Sequence, residues 1–343
     1  LQEAGATPVQ ELAFALATAV AVLDEVKASG LVSGDAFGEI VGRISFFVNA
    51  GMRFVTELCK MRAFAELWDE ITRTRYGIEE ERHRRFRYGV QVNSLGLTEQ
   101  QPENNVYRIL IEMLAVVLSK RARARAVQLP AWNEALGLPR AWDQQWSLRM
   151  QQVMAYETDL LEYGDIFDGS LEIECKVNEL KEAARAELVR IEALGGAVVA
   201  VEQGIMKRAL VESNARRIVG IERGDQVVVG VNRWGDSEPS PLTAGEGSVL
   251  TVPDHVETDA IARIRDWRSA RDQHAVEAAL QQLETVARDG SNIMPASIAC
   301  AKAGVTTGEW GETLRGVFGR YRAPTGVSIE TKTEPATDDI KIM

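Results

Sequence analysis

Cysteine and histidine are scarce, with three of each in 343 residues. Cys59, Cys175 and Cys300 lie far apart and form no CxxC pair. That excludes a disulfide framework and reads as the reduced thiols of a cytoplasmic protein. His83, His255 and His274 have no carboxylate, cysteine or second histidine at metal-ligand spacing, so no metal site is expected. No apolar run reaches the length of about 18 residues that a membrane-spanning helix needs. P-loop, GxGxxG and GxSxG motifs are also absent, which removes common signs of nucleotide binding and serine hydrolysis. The net charge of −11 argues against bulk nucleic-acid binding, although local basic patches can still hold phosphates.

A hydrophobic content of 45% is enough for a sizeable core, in one large domain or two ordinary ones. Thr7-Pro8 opens a helix, with Thr7 as N-cap and Pro8 at the first helical position. Leu12, Leu16, Val20, Leu23 and Val26 continue it at helical spacing. Ile44–Val48, ending at Asn49-Ala50-Gly51, reads as a buried parallel strand. A helix over 54–73, a strand over 88–93, a helix over 106–118, a strand over 124–129 and a helix over 143–161 follow. This α/β rhythm belongs to a (β/α) barrel or a doubly wound sheet, and three strands cannot close an eight-stranded barrel.

The character changes at Tyr163, where Gly164, Asp165, Asp168 and Gly169 form a turn cluster. Helices are expected over 173–194, 198–222, 259–288 and 294–320, with a short strand over 227–231 and an irregular connection over 235–247. The polar segment 326–343 carries no period and reads as a flexible tail.

Ligands of α/β enzymes sit at the carboxyl ends of strands. That rule selects Asn49, Gln91, Asn93 and the stretch from Gln128 to Glu134, which either hydrogen-bond a neutral polar substrate or cap turns. Two basic clusters stand out, Arg82-His83-Arg84-Arg85-Phe86-Arg87 and Lys120-Arg121 with Arg123 and Arg125. Planar guanidinium groups suit phosphate oxygens, while the competing reading is a solvated face balanced by Glu79-Glu80-Glu81. His83 is expected at the surface.

Several blocks resemble the coenzyme B12-dependent acyl-CoA mutases, the methylmalonyl-CoA mutase family. They are Leu1-Gln2-Glu3-Ala4-Gly5-Ala6-Thr7, Arg43-Ile44-Ser45-Phe46-Phe47, Cys59-Lys60-Met61-Arg62-Ala63 and Asn133-Glu134-Ala135-Leu136, then Gly195-Gly196-Ala197 and Val229-Gly230-Val231-Asn232. The resemblance covers about 1–325. Within the family, the run from Gln91 through Pro102 to Asn105 and the block Leu129-Pro130-Ala131-Trp132-Asn133-Glu134 look most like the ethylmalonyl-CoA mutase branch.

The resemblance implies the C-terminal part of a (β/α)8 TIM barrel, strands six to eight, over 1–162. A mainly helical linker and subunit-association region follows over 163–325, then the tail. It implies a radical carbon-skeleton rearrangement of an acyl-CoA, most nearly ethylmalonyl-CoA to methylsuccinyl-CoA, with adenosylcobalamin carried mainly by another domain. Alternatives are methylmalonyl-CoA mutase activity, a non-catalytic pairing or scaffold subunit, and a truncated product with no stable solo fold.

By the same resemblance Arg43, Ser45, Phe47, Arg82, Gly89, Gln91 and Arg125 contact the CoA ester, and Glu3 and Glu134 lie near the adenosyl group. Gly89 stands where methylmalonyl-type enzymes carry a histidine, which is expected to open space for a larger acyl group. Arg125 and Ala126 replace a glutamine–serine pair. The family's catalytic histidine would precede Leu1, and the cobalt-ligating Asp-x-His-x-x-Gly motif does not occur in these residues. No complete catalytic set is therefore expected here, and the expected partners are an acyl-CoA and a homo- or hetero-oligomeric chain supplying the rest of the barrel or the cobalamin domain.

Overall fold

A computed structural model describes residues 1–241, 243 and 249–322, which fall into two compact units, Leu1–Leu250 and a second beginning at Thr251. The chain is α/β, mostly helical around one small parallel sheet. In the first unit, α1 (Pro8–Ala28) starts as expected: Gln10 N–H donates to Thr7 Oγ1 and Thr7 N–H to Gln10 Oε1, a reciprocal cap. Then come α2 (Asp35–Val41), β1 (Phe46–Ala50), α3 (Phe54–Thr74), the single turn α4 (Glu81–Arg84), β2 (Tyr88–Val92), α5 (Asn104–Val117) and β3 (Ala126–Gln128). The strands are parallel in the order β1-β2-β3. Among the described residues β1 and β3 each pair on one side only.

Period-two alternation gives this sheet two unlike faces. Phe46, Val48, Tyr88, Val90 and Val92 are buried in the core. There Phe86 stacks on Phe64 at 5.0 Å and Phe46 meets Trp68 edge-on at 4.9 Å. The other face carries Phe47, Asn49, Gly89, Gln91, Ala126 and Gln128. Next are α6 (Ala141–Glu157), α7 (Leu171–Ala193), α8 (Ala197–Glu202) and α9 (Ile205–Glu222). Helix α7 adds Ile173, Val177, Leu180 and Ala184 to the main core.

Three long helical patterns break at chain-turning residues that periodicity does not register. The helix expected over 198–222 divides at Gly204, which is left-handed with φ 67°. In the second unit, the one expected over 259–288 becomes α10 (His255–Ala270) and α11 (Gln273–Arg288), the latter capped by Asp272. The one over 294–320 becomes α12 (Met294–Ala303) and α13 (Thr307–Phe318), separated by Gly304 with φ 85°. Arg271 clamps Glu309 through Nη1 and Nη2 at 2.7 and 2.5 Å, holding α13 to the end of α10.

The strand expected over 227–231 is absent. Only an isolated bridge joins Val229 to Arg233, because Gly230 turns left-handed at φ 81° and the Asn232 side chain ties Val228, Ile221 and Gln226 into a loop. His83 is half-buried rather than superficial: its imidazole packs where side chains on Gly38 and Gly42 would stand. The irregular connection expected over 235–247 is described as far as 241 and at 243, but Gly245, Gly247 and the tail over 326–343 lie outside the described residues. Among the described residues no helix is long and apolar enough to cross a membrane.

Candidate functional site

Strand register sets the open sheet face in rows. Phe47 pairs with Gly89 and Gly89 with Ala126; two residues on, Asn49 pairs with Gln91 and Gln91 with Gln128. Phe47 is 61% exposed, yet its ring lies across the glycine. A Cβ on residue 89 would come within 3.1 and 3.2 Å of Phe47 Cδ2 and Cε2. The space expected above Gly89 is therefore filled by the Phe47 ring.

At the carboxyl end, Gln91 Nε2 donates to Glu3 Oε1 at 3.3 Å. The same oxygen accepts from Ser94 N and Ser94 Oγ, both at 3.1 Å. Glu3 Oε2 takes no hydrogen bond or ion pair among the described residues, leaving it to an outside donor. Glu3 sits in a single turn, Gln2–Ala4, ended by Gly5 at φ 101°. Glu134 is exposed in the turn Glu134–Leu136 after β3. Its neighbour Asn133 is buried and donates to Asp143 Oδ2 at 2.9 Å. Burial pushes the Asp143 carboxyl up, but hydrogen bonds from Arg140 and Asn133 outweigh it and hold the group below the usual carboxylate range.

Beneath this end runs a polar network that sequence reasoning missed. Lys60 Nζ is 2.5 Å from Glu11 Oε2, 2.6 Å from Glu57 Oε2 and 2.7 Å from Asn49 O. Glu11 Oε1 accepts from Asn49 N–H at 3.0 Å, tying the network to β1. Glu112 on α5 is buried and its Oε2 has no hydrogen-bond partner among the described residues. Burial first, then the Glu57 charge, push its carboxyl up to about 9. Glu57, Glu112, Asn93, Tyr107 and Arg217 line a cavity of about 750 Å³. A signal did exist: Glu57 and Lys60 interrupt the apolar face of a helix, where unpaired charge is not tolerated.

The basic residues gather at the opposite, amino-terminal ends of the strands. Arg87 precedes β2 and Arg125 precedes β3, and both line a cavity of about 600 Å³ with Arg84, Arg85, Arg121 and Arg123. Several of these guanidinium groups are already paired: Arg84 with Asp69 at 2.7 Å, Arg85 with Glu81 at 3.3 Å and Arg121 with Glu174 at 3.4 Å. Arg87, Arg123 and Arg125 have no ion pair among the described residues, and the buried Arg87 Nε has no hydrogen-bond partner there. Arg43, Ser45 and Arg82 do not line this cavity. Arg43 faces Glu39 at 3.5 Å and Arg82 faces Glu80 at 2.5 Å, both exposed. The structure thus joins Glu3 to Gln91, sets Phe47 on Gly89, and leaves Arg82 apart from the cavity that holds Arg125. Among the described residues no His, Cys, Asp and Glu cluster could hold a metal ion.

The family model described as Methylmalonyl-CoA mutase matches residues 1–320. An ethylmalonyl-CoA mutase of Methylorubrum extorquens is 70% identical over 343 residues, all of this chain and 50% of that protein. An ethylmalonyl-CoA mutase of Cereibacter sphaeroides is 68% identical over 328 residues, 96% of this chain and 50% of its own length. A methylmalonyl-CoA mutase of Rhizobium meliloti is 34% identical over 325 residues, 94% of this chain and 44% of its own. The chain spans about half the length of the curated relatives it matches. With the family model covering nearly all of it, the chain belongs to the methylmalonyl-CoA mutase family.

Proposed function

We propose that this chain is the acyl-CoA-binding part of an adenosylcobalamin-dependent mutase that converts ethylmalonyl-CoA to methylsuccinyl-CoA. The observation that carries the reading is the two-ended open sheet face, with unpaired arginines at one end and the Glu3–Gln91 pair at the other. The 70% identity to an ethylmalonyl-CoA mutase supports the choice of ester. On this reading β1, β2 and β3 are strands six, seven and eight of a TIM barrel, residues 1–162 its C-terminal part and 163–325 a helical linker for subunit association. The unpaired outer edges of β1 and β3 are then covered by the remaining strands, from another segment or another chain. Three free thiols suit a reducing compartment such as the cytoplasm.

Arg87, Arg123 and Arg125 bind phosphate oxygens of the CoA, whose arm runs along the open face past Phe47 and Gly89, with Arg43, Ser45 and Arg82 at the entrance. Gln91 orients the acyl group, and Glu3 fixes which way the Gln91 amide points. Adenosylcobalamin, when bound, supplies the radical that removes and later returns a hydrogen of the acyl group. The chain's fit to it rests on Glu3: Oε1 is saturated by three donors, so Oε2 remains for a ribose hydroxyl. Glu134, exposed after β3, is the second carboxylate for that role. The test is turnover of ethylmalonyl-CoA by the complete enzyme with adenosylcobalamin, followed by chromatography of the CoA esters. Methylsuccinyl-CoA is the expected product; no conversion of this ester would overturn the reading.

A further inference from the structure

We infer that Gly89 sets acyl-chain preference indirectly, through the position of the Phe47 ring, so that the two residues act as one movable wall. The inference rests on the mutase reading above and deepens it. The expectation that a glycine simply leaves room is not what the geometry offers. Phe47 and Gly89 are direct register partners on β1 and β2, and the ring folds down over the glycine to within 3.1 Å of where a Cβ would stand. Real Cβ atoms rarely approach that closely, so a Cβ at 89 must move the ring by a few tenths of an ångström, and a larger side chain by more. Ala126, the next residue in the row, is also small: its Cβ lies 3.8 Å from the same point. Nothing bulky on the strand side of Gly89 or Ala126 props the ring up.

The ring lies outside the core, with Phe47 at 61% exposure in this chain while Phe46 and Val48 beside it are buried, so the side on which it can give is the one the acyl-CoA occupies. Swinging it therefore disturbs no core packing. A side chain at 89 lifts the ring toward the acyl group and removes room there, while glycine lets it lie flat. Preference for the longer acyl chain then comes from the ring's height above the sheet and not from an empty hole at residue 89. A difference of one methylene is the kind that such a wall separates by about 10- to 200-fold.

A double-mutant cycle in the complete enzyme tests this, reading kcat/KM for ethylmalonyl-CoA relative to methylmalonyl-CoA. The ratio cancels losses of folded or cofactor-loaded enzyme, which affect both esters alike. Gly89→Ala is expected to shift the ratio about tenfold toward the smaller ester. In the Phe47→Ala background the same substitution is expected to leave the ratio unchanged, because no ring remains to be lifted. A crystal structure of Gly89→Ala should show the ring displaced from residue 89. Equal shifts in both backgrounds, no shift in either, or an undisplaced ring would overturn the coupling while leaving the mutase reading intact. A wild-type enzyme inactive on both esters would overturn the reading and this inference with it.

Discussion

Lys60 Nζ lies 2.5 Å from Glu11 Oε2, and neither side chain reaches solvent. Glu57 Oε2 closes the other side at 2.6 Å. Burial opposes charge on Lys60, but the two carboxylates outweigh it and hold its ammonium above the ordinary lysine value. Removing only the cation leaves two carboxylates buried without compensation. Lys60→Met is therefore expected to cost about 3–5 kcal/mol of unfolding free energy in urea titration. Adding Glu11→Gln and Glu57→Gln should recover most of that loss; a Lys60→Met loss under about 1 kcal/mol would contradict the account.

Glu112 should make stability fall as pH rises. Its ordinary value of 4.5 applies to the unfolded chain, while burial and the Glu57 charge lift it to about 9 in the fold. Between those values the unfolded state releases a proton that the folded state keeps, so the folded state loses ground with each step upward. The contribution is whole below about pH 4.5 and gone above about pH 9. Glu112→Gln keeps the shape without the ionisation. It should leave stability at pH 5 little changed and raise it at pH 8 by several kcal/mol, because the glutamine needs no proton taken up on folding. Parallel pH profiles for the two proteins would refute this.

The arginines were legible in the sequence as clusters, but not which of them are open. The Arg82–Arg87 run looks uniform until the turn α4 and strand β2 send Arg82 to Glu80 and Arg84 to Asp69, while Arg87 keeps a buried Nε without a partner. Arg87→Ala and Arg123→Ala are each expected to weaken CoA binding by roughly tenfold or more, the effect of losing a charged hydrogen bond. Arg82→Ala, already neutralised by its own acid, should weaken it less. Isothermal titration with CoA measures all three, and added salt should narrow the differences. If Arg82→Ala proved the most damaging, phosphates would have to lie elsewhere.

The same contrast runs through the fold. Thr7-Pro8, the strand cores and the helix after each strand follow from caps and periodicity, which act within a few residues. What the sequence did not reveal depends on partners far along the chain. Glu3 meets Gln91 and Ser94 across nearly ninety positions, as the 88- and 91-residue separations record. Glu57 and Lys60 show in sequence as charges interrupting an apolar helix face, but the third member of their network, Glu11, arrives only from α1. Val227–Val231 has strand composition, yet a left-handed Gly230 and the Asn232 side chain decide otherwise. Phe47 and Gly89 were each candidates by resemblance, but their contact exists only once β1 and β2 are in register.

Gly5 is the pivot on which the Glu3 carboxylate depends. Its backbone is left-handed at φ 101°, and a Cβ there would stand 2.6 Å from Asn214 Cβ and 2.7 Å from Leu210 O on α9. Ser213 Oγ, on the same helix, donates to Gly5 O. Gly5→Ala must therefore either unseat α9 or turn the Gln2–Ala4 segment away, and overpacking with backbone strain costs about 2–4 kcal/mol. If the segment turns, Glu3 leaves Gln91 and both lose their orientation. In the complete enzyme, Glu3→Gln probes the carboxylate alone, since a carboxamide oxygen can still accept from Ser94 but carries no charge. We expect Glu3→Gln to lower kcat by about tenfold or more with little change in KM for the acyl-CoA, the pattern of an interaction made on the reacting side. Gly5→Ala should lower kcat and stability together. A Glu3→Gln enzyme with unaltered kcat would show that the Glu3–Gln91 contact is structural only.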